Sequence, residues 1–329
     1  MKFLRNICLV DTPYALALYL LMMPMEEIER TKFITSSILD RQITEKLPNK
    51  CLNYYGFNIG NDWKKLLKVR LLRFYEYPSI FWSKVYAQDH LRISAQVIGK
   101  KNYTLIADGP YFLYNYSNCP RPAFDMVSPR SIIGKIKYSL AFGRTIFNKE
   151  YGQNQQCANR WLTTAIDAET YFVANRKYTL VDLSALWEKA SKLKKTYILT
   201  IFSLSEELID YAKQADVMIL TQPFREDCGL TDEEYIEIYK PYIQNSKKVV
   251  IKPHPRDKFD FDKYFPTIPV LRTYIPMQLL NFMGVMPHIA VTVNSTAISS
   301  LPNNVEKIMI GTKVNKKIFD RYGDMFNDK

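Results

Sequence analysis

One stretch decides the fold class: DVMILTQPFREDCGLTDEEYIEIYKPYIQNSKKVVIKPHPRD, residues 216–257. Residues 216–224 and 247–255 contain continuous apolar runs, the composition of strands that are buried on both faces. Residues 230–244 between them predict a helix, because Thr231 and, three residues later, Glu234 form a capping box. Strand, helix and strand in this order predict a parallel sheet covered by helices.

The same alternation continues on both sides of this stretch. In the second half, further strands are predicted at 196–202, 288–295 and 307–312, and helices at 205–215, 276–284 and from 295 onward. In the first half, strands are predicted at 7–10, 32–36 and 103–109, and helices from Pro13 to Met23 and at 66–77. We therefore predict an α/β protein with two Rossmann-like domains, residues 1–175 and 176–329, whose parallel sheets face a central cleft. Residues 110–175 are the least regular part, and residues 177–183 are expected to pair at a domain edge.

The chain is basic, with 45 Lys and Arg against 33 Asp and Glu, for a net charge of +12. Such a charge indicates an anionic partner: nucleic acid, an acidic membrane surface or an anionic substrate. The run WKKLLKVRLLRFY, residues 63–75, fits a nucleic-acid-binding stripe, a peripheral membrane helix or a helix of the first domain with a solvated face.

The five cysteines lack CxxC spacing, and their number is odd. Their pattern argues against a zinc site or a disulfide framework and favours a reducing cytoplasm. The apolar run 15–25 is shorter than the roughly 20 residues that span a bilayer. We interpret it as a buried first helix, so any membrane contact is expected to be peripheral.

Ligands of open parallel sheets bind at the carboxyl ends of the strands. Five polar segments are predicted there: DTPY, ADGP, TQPFREDCG, KPHPRD and NSTA. Asn294, Ser295 and Thr296 begin a helix, which fits either phosphate binding or plain capping. The sequence contains neither GxxxxGK[ST] nor GxGxxG, which argues against P-loop and ordinary dinucleotide chemistry.

His254 is one of only three histidines, and it lies between Pro253 and Pro255. Both prolines stiffen the chain, so the imidazole can be held beside a phosphate and donate a hydrogen bond or a proton to it. Because Ser295 lies about one strand–helix–strand unit further along, the two loops are predicted to be neighbours. The alternative for His254, which we accept for His90 and His288, is a histidine that merely ends a strand.

Acid–base chemistry also needs a carboxylate, and two segments at predicted strand ends offer one. Asp108 lies in ADG, and Glu226 and Asp227 lie in REDCG. An Asp-Gly turn and acidic residues before a helix are the structural alternatives, and spacing alone does not choose between the two segments.

Several of these motifs resemble a known family. KPHPRD resembles the HP motif of bacterial sialyltransferases, and NSTAISS resembles their serine motif. TPYALAL and TQPFRED are similar to segments of glycosyltransferase family 52, the lipooligosaccharide and capsule sialyltransferases. ADGPYFLYNY resembles the acidic motif of related sialyl- and polysialyltransferases. The matches extend from Asp11 to Ser300.

This resemblance implies a GT-B fold with an N-terminal acceptor-side domain and a C-terminal CMP-sugar-binding domain. The implied reaction is an inverting, metal-independent transfer of sialic acid from CMP-sialic acid to a galactose-type hydroxyl of a capsule or lipooligosaccharide glycan, with α-2,3 linkage expected. It implies no cofactor, no metal ion and no nucleic-acid partner. The expected partners are CMP-sialic acid and a galactose-terminated glycan, with an anionic membrane surface and a second copy of the chain as further candidates. The expected location is the cytoplasm, with peripheral attachment to the inner face of the cell membrane as a further candidate.

The resemblance also implies roles for individual residues. His254 would be the general acid on the CMP phosphate, and an aspartate would be the base, Asp227 by the TQPFRED match or Asp108 by the ADG match. The implied donor-binding residues are Lys252, Pro253, Pro255, Gln278, Asn294, Ser295 and Thr296.

The sequence departs from the family pattern at three positions. Ala107 stands where an acidic residue is usual, Cys228 interrupts what would read EDG, and Gln278 replaces a glutamate that contacts the ribose. The alternatives are another CMP-sugar transferase of the GT-B type, polysialyl- or KDO-type, and a non-catalytic basic protein that binds membranes or nucleic acid.

Overall fold

The computed structural model describes residues 4–36, 39–49, 52–54, 82–91, 94, 98, 101–108, 132–133, 152, 154–163, 177–254, 256–272 and 275–324. The chain divides into two compact units, Met1–Lys194 and Lys195–Lys329. The sequence prediction placed the boundary after residue 175 instead. The predicted helix 66–77 and the basic run 63–75 lie outside the described residues.

The first unit contains a parallel sheet. Its strands are β1 (Asn6–Leu9), β2 (Thr31–Ser36), β3 (Leu52–Tyr54), β4 (Lys84–Ala87), β5 (Tyr103–Ile106), β6 (Cys157–Leu162) and β7 (Thr179–Leu180). Their order is β3-β2-β1-β4-β5-β6-β7, and all paired strands run parallel. The order reverses between β1 and β4, so the ends of β1, β4 and β5 lie side by side at the carboxyl edge.

Helix α1 (Pro13–Met22) follows β1 and is apolar on all sides, with every residue from Tyr14 to Leu21 buried. Thr12 caps it by accepting a hydrogen bond from the Ala15 amide. At its other end, the Lys194 ammonium donates to the carbonyls of Leu21, at 2.7 Å, and Met23, at 2.8 Å. These bonds satisfy carbonyls that a helix end leaves without partners. The other helices that the structure describes up to the unit boundary are α2 (Met25–Ile28), α3 (Arg41–Thr44), α4 (Leu183–Lys189) and the start of α5 (Lys192–Ile201).

The second unit contains a second parallel sheet. Its strands are β8 (Val217–Leu220), β9 (Val249–Lys252), β10 (Ile289–Thr292) and β11 (Glu306–Met309), in the order β11-β10-β8-β9. Its helices after α5 are α6 (Glu206–Lys213), α7 (Phe224–Cys228), α8 (Asp232–Gln244), α9 (Phe261–Tyr264), α10 (Met277–Phe282) and α11 (Lys316–Tyr322). Two 3₁₀ segments, Thr296–Ser300 and Thr312–Val314, complete it.

Alternate residues of the second sheet face two different layers. Val217, Ile219, Val249 and Ile251 join one buried cluster with the aromatic residues Phe224, Tyr235, Tyr239, Phe259 and Phe261. Because side chains alternate along a strand, Leu220, Lys252 and Thr292 belong to the opposite face. The capping box of α8 is confirmed, since the Glu234 amide donates to Thr231 Oγ1 and the Thr231 amide donates to Glu234 Oε2.

Two predicted elements are wrong. The strand predicted at 196–202 is not present: residues 196–201 form the end of helix α5, and Ile198, Leu199 and Ile201 are its buried residues. Their β-branched composition favours a strand, but packing of one helical face overrides that preference. Residues 296–300 form a short 3₁₀ segment rather than an α-helix, and Pro302 follows closely. Among the described residues, no helix is both long and apolar enough to cross a membrane.

Candidate functional site

The second sheet brings three predicted loops to one edge. The chain passes from β8 to β9 on one side and then returns to β10 on the other side of β8. Such a reversal of strand order is where open parallel sheets bind their ligands. The loops that carry His254 and Ser295 therefore share an edge, as predicted, but their strands β9 and β10 are not adjacent, because β8 lies between them.

His254 is half-buried and held by its own loop. The Arg256 amide donates to His254 Nδ1 at 3.1 Å, and the Asp257 amide donates to the His254 carbonyl at 2.9 Å. Because Nδ1 accepts an N–H, the neutral ring carries its proton on Nε2. Burial, helped by the charges of Arg256 and Lys252, lowers the pKa of His254, and Asp227 opposes this effect. The imidazole therefore presents an Nε2–H donor at neutral pH.

Lys252 ends β9, two residues before His254, and only 8% of its surface is exposed. Burial lowers the pKa of its ammonium to about 8. It pairs in register with Leu220 of β8, which in turn pairs with Thr292 of β10. Within the part of the chain that the structure describes, no carboxylate forms an ion pair with Lys252. A buried cation of this kind is suited to an anionic ligand.

Asp227 lies on α7, in the segment that follows β8. Arg256 donates to both of its oxygens, Nη1 to Oδ1 at 3.0 Å and Nη2 to Oδ2 at 2.9 Å, and the Tyr322 hydroxyl donates to Oδ2 at 3.0 Å. The hydrogen bonds from Arg256 are the main cause of a lowered pKa at Asp227. The neighbouring Glu226 accepts from the Lys258 amide at 3.2 Å. Both acidic residues therefore bind the segment that follows β9.

Ser295 is buried at the end of β10 and caps the 3₁₀ segment. Its amide donates to Thr292 Oγ1 at 3.1 Å, and its own Oγ accepts from the Ala297 amide at 3.4 Å. Thr292 Oγ1 in turn donates to the Leu220 carbonyl at 2.7 Å, which ties β10 to β8. The predicted capping role is thus present in the structure.

The structure places the remaining predicted donor-binding residues as follows. Asn294 is half-buried beside Ser295, Pro253 is buried between Lys252 and His254, and Gln278 is half-buried in the first turn of α10. Thr296 begins the 3₁₀ segment, and its side chain lies outside the described part, as does all of Pro255.

Asp108 follows β5 in the first unit and is held by the ends of neighbouring strands. Gln88, which follows β4, is fully buried, donates from Nε2 to Asp108 Oδ1 at 2.5 Å, and accepts from the Asp11 amide at 2.5 Å. His90 Nε2 lies 3.6 Å from Asp108 Oδ2, and Thr12 Oγ1 donates to the Asp108 carbonyl at 3.4 Å. A carboxylate is thus fixed at this edge, with an imidazole beside it.

Gln88 and the position of His90 beside Asp108 were missed from the sequence. Strand β4 was not predicted, so the tripeptide QDH at residues 88–90 was not recognised as following a strand end. The apolar pair Val85 and Ala87 before that tripeptide was the available signal.

Across the described ranges, no group of three or more His, Cys, Asp or Glu side chains is arranged to hold a metal ion.

Comparison with known proteins places this geometry in a family. The family model described as glycosyltransferase family 52 matches residues 41–317. An uncharacterized protein of Haemophilus influenzae is 27% identical over 245 residues, which cover 73% of this chain and 72% of that protein.

Solved structures with a similar fold include a 2,6-sialyltransferase of Photobacterium sp. JT-ISH-224 in complex with CMP and lactose. Its TM-score is 0.56 at 11% identity, over 92% of this chain and 71% of that one. A sialyltransferase of Photobacterium damsela gives a TM-score of 0.52 at 12% identity, over 93% and 73% of the two chains. The GT-B domain of a Photobacterium damselae sialyltransferase gives 0.50 at 12% identity, over 93% and 90%.

The family match covers most of the chain, and the similar structures include the GT-B domain of a sialyltransferase. The chain belongs to glycosyltransferase family 52 and is a glycosyltransferase of the GT-B fold.

Proposed function

We propose that the protein is a sialyltransferase that moves sialic acid from CMP-sialic acid to a galactose-type hydroxyl of a surface glycan. The observation that carries the proposal is that His254 and Lys252 lie within two residues of each other at the carboxyl end of β9, in a family 52 chain. One supplies an Nε2–H donor and the other a buried positive charge. CMP-sialic acid carries a phosphate and a carboxylate, so a basic site of this kind attracts it. The likeness to sialyltransferase structures supports the choice of sugar.

The proposed reaction is a single displacement. The bond between the anomeric carbon of sialic acid and the phosphate oxygen breaks, and a bond from that carbon to the acceptor oxygen forms on the opposite face. Negative charge therefore develops on the departing phosphate. The bound phosphate favours the protonated ring of His254, which gives its Nε2 proton to the departing phosphate oxygen and returns to a neutral imidazole, and Lys252 offsets the remaining charge. Asn294, Ser295, Thr296 and Gln278 would complete the donor site around phosphate and ribose.

The proton of the acceptor hydroxyl must pass to a base, and we propose Asp108. Both oxygens of Asp227 already accept hydrogen bonds from Arg256, which lowers its pKa and weakens it as a base. Asp108 lies instead at a strand end of the first unit, and 32% of its side chain is exposed. Asp227 then serves to hold Arg256 and the loop that carries His254.

The finer parts of the proposal rest on the motif resemblance. They are α-2,3 linkage, a capsule or lipooligosaccharide acceptor, and catalysis without a metal ion or cofactor. A peripheral position on the inner face of the membrane and a homodimer belong to the same set. The net charge of +12 favours an anionic surface as a partner.

The test is incubation with CMP-sialic acid and lactose in EDTA, with CMP release and sialyl-lactose measured together. His254→Ala should lower the rate by at least about 100-fold. His288→Ala is the matched control, because His288 is highly exposed, and it should retain the wild-type rate. Transfer that requires CMP-KDO in place of CMP-sialic acid would identify the KDO-type alternative. No transfer from either donor, with salt-sensitive binding to RNA or anionic vesicles, would refute the enzymatic proposal.

A further inference from the structure

The loop that carries His254 closes into a tight turn. The Asp257 amide donates to the His254 carbonyl at 2.9 Å, the bond from the fourth residue to the first that defines a hydrogen-bonded β-turn. Inside this turn the Arg256 amide donates to His254 Nδ1. The turn therefore fixes the imidazole and its tautomer, provided that the turn itself is held against the sheet.

Asp257 binds the turn to the sheet and to α8, in addition to the contact of Arg256 with Asp227. Its Oδ2 accepts from Thr221 Oγ1 at 2.5 Å and from the Tyr235 hydroxyl at 2.5 Å, and its Oδ1 accepts from the Phe259 amide at 3.0 Å. Burial raises the pKa of Asp257, while these hydrogen bonds favour its ionised form. One carboxylate thus binds donors from three parts of the second unit.

The partners of Asp257 are rigid. Thr221 directly follows β8 and is buried, and Tyr235 is almost completely buried in α8. The Tyr235 ring packs against Phe259 with centroids 4.9 Å apart, and its hydroxyl proton is shared between Asp257 and the Gln222 carbonyl, the latter at 2.9 Å. Hydrogen bonds to such partners hold the turn in a fixed position relative to the sheet.

We propose that Asp257 is a positioning residue for His254. Its carboxylate ties the turn to the end of β8 and to α8, and so fixes where Nε2–H points. The inference rests on the proposed role of His254 as the acid. The flanking prolines restrict backbone angles, and a proline has no N–H to donate. Asp257 supplies hydrogen bonds from the turn to the rest of the unit.

The variant Asp257→Asn keeps the size and shape of the side chain but removes one acceptor. If the amide oxygen takes the place of Oδ2, the amide NH₂ then faces the Phe259 N–H, so two donors meet. We expect the turn to loosen and the imidazole to become more exposed. The His254 pKa should then rise toward its ordinary value near 6.5, because burial is the main cause of its depression.

The experiment is NMR titration of the histidine ring signals in the full chain without substrate. The chain has only three histidines, so His254→Ala assigns the signal of interest, and His90 and His288 serve as internal references. In Asp257→Asn we expect a higher His254 pKa, a mixture of Nδ1–H and Nε2–H tautomers in place of Nε2–H alone, and a kcat lowered by about 10-fold. Asp262→Asn is the matched control, since Asp262 is an exposed aspartate paired with Arg272, and it should change none of these.

Two milder variants keep the inference testable if Asp257→Asn does not fold. Thr221→Val and Tyr235→Phe each remove one donor to Asp257, and each should shift the His254 titration in the same direction by less. A folded Asp257→Asn with unchanged His254 pKa and tautomer overturns the inference, even if its rate falls. Unchanged His254 signals in both Thr221→Val and Tyr235→Phe overturn it as well. An active His254→Ala enzyme would instead contradict the proposed function, and the titration, which needs no turnover, separates that failure from this one.

Discussion

Arg256 binds Asp227 through two parallel hydrogen bonds, Nη1 to Oδ1 at 3.0 Å and Nη2 to Oδ2 at 2.9 Å. The pair joins the segment after β8 to the loop after β9, so it spans the two strands nearest His254. Planar bidentate pairs are the strongest form of this contact, although Arg256 remains largely exposed. An aspartate held in this way is suited to fixing a loop, and this favours Asp108 as the catalytic base.

Asp108→Asn and Asp227→Asn should therefore affect turnover differently. We expect Asp108→Asn to lower kcat by at least about 100-fold with little change in the KM for the donor, because it removes the base but leaves the donor site intact. Asp227→Asn should cost about 10-fold through loss of the Arg256 contact. Initial rates with CMP-sialic acid and lactose measure both values. A larger loss in Asp227→Asn than in Asp108→Asn would assign the base to Asp227.

The lowered pKa of His254 predicts a difference between two pH profiles. In the free enzyme the imidazole is neutral at pH 7, whereas a general acid must be protonated to act. Because kcat/KM reports the free enzyme, it should fall as the pH rises through a value below 6.5. A bound phosphate favours the protonated ring, because opposite charges attract. The decline of kcat, which reports the enzyme–donor complex, should therefore occur at a higher pH than the decline of kcat/KM. Profiles from pH 5 to 9 measure both limbs, and coincident limbs would contradict a phosphate beside His254.

The burial of Lys252 predicts that its ammonium lowers the stability of the folded protein but strengthens binding of the donor. Its pKa in the folded protein is about 8, below the ordinary value of 10.5, so the unfolded chain binds more protons between those two values. Stability should therefore rise with pH from about 8 to 10.5, and the full cost of the buried charge, on the order of 3 kcal/mol, applies below pH 8. Lys252→Met should raise the stability at pH 7, remove this pH dependence and weaken CMP binding.

Urea unfolding at pH 7 and pH 10, together with calorimetry of CMP binding, measures these effects. Lys247→Met is the matched control, because Lys247 is exposed just before the same strand, and both quantities should remain at their wild-type values. A Lys252→Met protein that is less stable at pH 7 would show that the ammonium has a structural partner instead. Unchanged CMP affinity would remove Lys252 from the donor site.

The second unit was predicted well from the sequence because its signals are local. The apolar runs of β8, β9 and β10 and the capping box at Thr231 and Glu234 each specify an element within a few residues. Strand order is not local, since each crossover passes to one side or the other of a strand already formed. The position of β8 between His254 and Ser295 therefore could not be obtained from spacing along the chain.

In the candidate site, too, features with local sequence signals were predicted, and contacts between distant segments were not. The placement of His254, Lys252 and Asp108 at strand ends followed from apolar runs before them. The ion pair between Asp227 and Arg256 joins different loops, and no local pattern indicates it. Strand β4 is only four residues long, so its apolar signal was too weak to reveal Gln88 and His90.

Gln88 provides the last prediction, because it is the buried link between Asp11 and Asp108. Gln88→Leu leaves the Asp11 amide and one oxygen of Asp108 without their partner, so kcat should fall by about 10- to 100-fold. Gln88→Glu has the same shape but places a second carboxylate against Asp108, and two carboxylates so close resist ionising together. Its activity should therefore appear only at higher pH, with the acid limb of kcat/KM displaced upward by about one unit or more. Gln214→Glu, an exposed change of the same kind, is the control and should match the wild type. A wild-type pH profile in Gln88→Glu would mean that the group titrating on the acid limb is not Asp108.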